Sequence, residues 1–142
     1  MISPALRAKW DTGIDIYDPN LKLYLPLYDH GMGLSSFPSL DLNHHVATVT
    51  GATWGSQGRT FDNTDDKITI PRHSSLEPAN SVWFGAWIKP TSINQEGIID
   101  KPNTTHVDPY YSYEVELTNN KAVASVAAGG VYDNLTGASD IS

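Results

Sequence analysis

Asp62, Asp65 and Asp66 stand within one short stretch, Asp62-Asn63-Thr64-Asp65-Asp66, between two runs of β-type residues. Clustered carboxylates and amides with free backbone carbonyls can supply the oxygen shell that calcium requires, about six to eight ligands. The same residues also shape solvated hairpin turns, so both readings stay open. Asp41 and Asn43, from the long polar stretch upstream, are candidate co-ligands. A second set of carboxylates, Glu114 and Glu116, is spaced i and i+2 and so shares one face of any strand. A retaining glycosidase needs carboxyls about 5 to 5.5 Å apart, which strand neighbours can reach. The signature Glu-x-Asp-x-x-Glu is absent, however, and alternating acidic and apolar residues are what a solvated sheet face shows. No catalytic role is assigned. His44-His45 is the sole histidine pair, and adjacent residues of an extended chain point apart, which suits no single metal. His30, His73 and His106 are scattered among loops, and nothing resembles a nucleophile elbow, so zinc and Ser-His-Asp chemistry are set aside.

The elements that position these groups are short strands. Leu21, Leu23, Leu25 and Leu27 alternate at period two and predict a half-buried strand, with Pro26 marking an edge or bulge. Residues 29–45 are polar and turn-rich, and predict a long surface loop. Strands are expected at Val46–Thr50, Arg59–Asp62, Lys67–Ile70, Val82–Lys89, Gly97–Lys101, Tyr111–Thr118 and Lys121–Ala127. Val82, Phe84, Ala86 and Ile88 share one face of their run, and Trp83, Gly85 and Trp87 the other. A run apolar on both faces predicts a central strand packed on each side. Asn119-Asn120 reads as a hairpin turn, because Asn tolerates positive φ. Residues 129–142 are small and polar, and no amphipathic helical stripe occurs. Residues 1–20 read as an arm, followed by one domain over 21–142. Such spacing of strands and turns indicates an antiparallel β-sandwich or jelly roll.

The chain has 142 residues, enough for one substantial core, with 9 basic against 16 acidic residues and a net charge of -7. An acidic surface repels phosphate backbones and anionic lipid, so neither nucleic acid nor membrane is an expected partner. There is no cysteine, which excludes disulfides and thiolate metal sites. No signal peptide and no segment of transmembrane length are visible.

Five motifs in order resemble the laminin-G-like branch (LamG type 3) of the concanavalin A-like lectin/glucanase superfamily. They begin with Leu23-Tyr24-Leu25-Pro26-Leu27, then Gly51-Ala52-Thr53-Trp54 running on to Gly58-Arg59-Thr60-Phe61-Asp62-Asn63-Thr64-Asp65-Asp66-Lys67-Ile68. Ser75-Leu76 with Val82 to Pro90, Ile98-Ile99-Asp100-Lys101 and Tyr113-Glu114-Val115-Glu116-Leu117 follow. The family commonly has Gly where this chain has Asn63 and an aromatic at Lys67, and Asp41-Leu42-Asn43-His44-His45 only echoes its Asp-x-Ser-Gly-Asn loop. A terminal Trp-x-x-Val strand is also missing before Ser142, so the expectation is a concanavalin A-like sandwich incomplete at its C-terminus: either a fragment of a longer chain, with room for additional domains, or a sandwich that needs a partner to cover its exposed strand edges.

The resemblance implies a non-catalytic recognition module of an extracellular or virion-associated protein, binding carbohydrate or a glycoprotein surface, with calcium at a rim. Trp83 and Trp87 would line its concave sheet and stack on sugar rings, beside Glu114 and Glu116. A second reading is a purely structural or adhesive decoration domain without a small ligand. A third is a glycoside hydrolase remnant using Glu114 and Glu116.

Overall fold

The computed structural model describes residues 13–78, 81–91, 96–102, 111–128 and 131–137. Every sheet among them is antiparallel and no α-helix occurs, so the chain is all-β. It divides into two compact units, Met1–Trp83 and Phe84–Ser142.

In the first unit, β1 (Ser36–Pro38), β2 (Val46–Thr50) and β5 (Lys67–Thr69) form a three-stranded sheet in the order β1-β2-β5. Register pairs Phe37 with Ala47 and Val49 with Ile68, which sets the apolar residues of neighbouring strands side by side. Met32, Phe37 and Ala47 are the buried centre, and Leu25, Leu27, Leu40, Val49, Ile68 and Ile70 pack around them. A separate hairpin joins β3 (Thr53–Gly55) to β4 (Gly58–Thr60). Among the described residues the unit also holds two 3-10 turns, η1 (His30–Gly33) and η2 (Ser74–Leu76).

Leu21–Tyr28 supplies two leucines to this core as its alternation predicts, yet it forms no ladder. Its backbone is held by Leu40 N–H donating to Tyr24 O (3.0 Å) and by Tyr24 N–H donating to the Asp41 carboxylate (2.9 Å). A side chain thus stands where a neighbouring strand's carbonyl would be. β1 and β3 lie in stretches the sequence left as loop, because three-residue strands are too short to show a period. Residues 13–20 turn as expected, with Leu21 N–H bonded to Asp18 O; the rest of the arm lies outside the described residues.

The second unit is a four-stranded meander of β6 (Glu96–Pro102), β7 (Tyr111–Thr118), β8 (Lys121–Ala128) and β9 (Val131–Thr136). Asn119 and Asn120 have φ of 50° and 67° and close the β7–β8 hairpin at the Thr118–Lys121 pair. β9 falls in the stretch read as small and polar. Val82–Lys89 departs furthest from expectation: it belongs to no strand, and the two units divide within it. Its apolar residues need a neighbour to become a central strand, and among the described residues none pairs with it.

Candidate functional site

The acidic hairpin connects β4 to β5. Asp62 accepts the Thr64 N–H (2.9 Å), Asp66 accepts the Asp62 N–H (2.8 Å), and Asn63 takes a φ of 64° between them. Local backbone demand therefore explains part of the Asp/Asn content. Ligand oxygens of Asp62, Asp65 and Asp66 also lie within 4.8 Å of one another. Three carboxylates fit one side of a calcium shell, and carbonyls and water would have to complete it.

Asp41 and Asn43 do not join them. Asp41 is buried at 1% exposure and accepts from Tyr24 N–H, Asn43 N–H (2.8 Å) and Asn43 Nδ2 (3.0 Å), as well as from the Ser39 side chain. Asn43 Nδ2 also reaches the carbonyls of Leu21 and Lys22. Burial pushes the Asp41 carboxyl up, but these hydrogen bonds outweigh it and hold the group below its usual value. The pair is a structural clamp on the 21–24 segment.

Glu114 and Glu116 do share a face of β7, and register sets Asp100 of β6 opposite Glu114. Thr118 Oγ1 donates to Glu116 at 2.8 Å. Asp100 has an exposed surface, but its carboxylate folds back over Gly97, where a Cβ would stand 3.0 Å from it. Partial burial of the carboxyl, and after it the charge of Glu116, raise its pKa. A carboxyl raised on folding contributes stability that declines as pH climbs from about 4 through the raised value. Asp100→Asn is accordingly expected to melt higher than wild type at neutral pH, with the gain vanishing in acid. Thermal melts across pH check this, and a lower melting temperature at neutral pH would refute it.

Trp83 and Trp87 are 82% and 95% exposed, and Val82 and Ile88 beside them 36% and 44%. Phe84 is the residue of this segment that packs, its ring 5.0 Å from Tyr113 of β7. The two tryptophans are thus presented to solvent and are not buried in a sheet.

Two clusters escaped sequence reasoning. Arg59 donates to the carbonyls of Ala52 (2.8 Å), Met32 and Leu34 and lies over the Phe37 ring, tying η1 to the β3–β4 hairpin. His45, Ser75 and His73 meet across 30 residues of chain, with His45 Nε2 2.8 Å and His73 Nδ1 3.0 Å from Ser75 Oγ. The Ser75 N–H also donates to His73 Nδ1, at 3.2 Å.

No protein-family model, no curated protein and no solved structure matches the chain.

Proposed function

We propose that the chain is a non-catalytic, laminin-G-like recognition module that binds carbohydrate, with calcium assisting at the Asp62–Asp66 hairpin. The observation that carries this reading is the presentation of Trp83 and Trp87 to solvent. An indole left in water keeps a large apolar face available, and stacking on a sugar ring removes that face from water. The antiparallel sheets and the order of the five motifs support a concanavalin A-like sandwich as the scaffold. The acidic surface makes neutral glycans and glycoprotein surfaces better partners than polyanions.

Binding to a glycan array, with and without a calcium chelator, tests the proposal. Trp87→Ala is expected to weaken the glycan signal about tenfold, on the order of 1.4 kcal/mol, with little change in stability. Chelator is expected to weaken it further if the hairpin assists. A folded protein that binds no glycan in either condition sinks the carbohydrate reading.

The exposure of Val82 and Ile88 favours a second reading, a structural or adhesive module whose apolar segment is covered by protein. A folded protein that binds no glycan, with or without calcium, would favour that alternative.

A further inference from the structure

The sheet of the second unit ends in two edges, and they differ. β6 has register shifts between Gly97 and Ile99 and between Lys101 and Pro102, and so combines irregular pairing with a lysine and a proline. Those are devices that keep an edge from pairing with foreign backbone. The edge strands of the first unit are short, with Pro38 in β1 and Lys67 in β5. β9 carries no such device. It pairs with β8 in unbroken register from Val131 to Thr136 and contains neither proline nor lysine. Among the described residues no strand pairs with its far side.

Ladder chemistry fixes which backbone groups of β9 face outward. Gly137 N–H donates to Ala122 O at 2.8 Å, just beyond the Val123–Thr136 pair. Hydrogen-bonded and non-hydrogen-bonded pairs alternate along an antiparallel ladder, so Val131, Asp133 and Leu135 turn their N–H and C=O toward β8. Tyr132, Asn134 and Thr136 turn theirs to the open side. Residues 133–136 are all exposed, Leu135 at 77%, on the same face as Val126 of β8 at 40%.

We propose that β9 is a self-recognition edge: two copies of the chain pair antiparallel through it, about a two-fold axis at Asn134, and join their sheets into one. At that register each Asn134 faces its own counterpart, and each Tyr132 faces the Thr136 of the other copy. Every outward N–H then meets an outward C=O. Asp133, the sole charged residue of β9, lies opposite Leu135. The two Leu135 side chains become diagonal neighbours about 7–8 Å apart, near enough to shield each other from water. Neighbouring registers are worse. Centring on Asp133 sets two carboxylates face to face, and centring on Leu135 carries Tyr132 past the end of the opposing strand. A second copy is therefore the occupant, because β9 complements itself in hydrogen bonding and in charge, as an isologous contact requires. The net charge of -7 on each copy opposes the encounter at long range, so association is expected to strengthen with added salt.

Sedimentation of the full 142-residue chain tests the pairing. A contact this small is expected to dimerise the chain at about 10–1000 μM, and a chain that stays monomeric at about 1 mM overturns it. Asn134→Pro removes an outward N–H and leaves the bonds to β8 in place, so it is expected to keep the fold and weaken dimerisation more than about tenfold. Equal dimerisation by that variant would put the contact elsewhere and overturn the proposal. Where the proline variant does not fold, the chain's lack of cysteine gives a second test. Asn134→Cys sets two Cα atoms about 5.5 Å apart across the axis, within disulfide reach, whereas Leu135→Cys sets them about 7–8 Å apart. Oxidation is expected to cross-link Asn134→Cys much the faster; equal rates, or no cross-link, overturn the pairing. Hydrogen exchange distinguishes a second copy from another part of the same chain. Protection of the Asn134 and Thr136 amides is expected to rise with protein concentration, and protection independent of concentration overturns the proposal.

Discussion

Asp41→Ala is expected to cost the first unit about 3 kcal/mol, a large share of the roughly 5–15 kcal/mol that holds an ordinary domain folded. The carboxylate is fully buried and accepts two backbone N–H groups, the Asn43 amide and the Ser39 side chain. Deleting it leaves those donors facing a void, and unsatisfied buried donors forfeit their full desolvation cost. The Tyr24 amide is the most consequential, since it and the Leu40–Tyr24 bond seat Leu25 and Leu27 in the core. Asp41→Asn keeps one carbonyl oxygen and is expected to lose distinctly less. The pH sign follows from the lowered pKa: the Asp41 contribution is present above about pH 4 and disappears as pH falls through the folded value. Denaturant titrations of wild type and both variants check the order. An unchanged midpoint in Asp41→Ala would mean that the leucines dock the segment without the clamp.

Gly51→Ala is expected to cost about 2 kcal/mol and to disperse the acidic hairpin. Gly51 has a φ of 73°, a conformation that penalises any Cβ by roughly 1–2 kcal/mol. A Cβ there would also stand 1.6 Å from Asp66 Oδ1, so the Asp66 side chain must leave. Its bond to the Asp62 amide goes with it, a further loss of about 1 kcal/mol. A double-mutant cycle with Asp66→Ala separates the two contributions. The pair is expected to cost less than the sum of its singles, because removing the carboxylate removes the collision. Strict additivity would show that backbone conformation alone accounts for the glycine. Loss of any calcium response in Gly51→Ala would further tie the hairpin geometry to the cation.

Much of the strand content was legible because its causes are local. Val46–Thr50 alternates at period two, and the structure buries Ala47 while leaving Val46, Thr48 and Thr50 outside. Asn119-Asn120 announces its own turn, and β7 and β8 follow on either side. β9 was not legible, since Val131–Thr136 carries little apolar pattern and owes its strand to the register offered by β8. The error at Val82–Lys89 is the converse. Apolar residues there gave a strand signal, but a strand exists only where a neighbour completes its hydrogen bonds.

For the candidate site, the sequence alone located the Asp62–Asp66 hairpin, since a contiguous acidic run is brought together by its own turn. It also determined the all-β class and the shared face of Glu114 and Glu116. Tertiary structure alone decided which polar groups work together over distance. It drew Asp41 and Asn43 away from the acidic hairpin into a clamp, joined Arg59 to three carbonyls, and brought His45 to Ser75 and His73. Those groupings depend on loop closure over tens of residues, where donor and acceptor types are visible but their pairing is not.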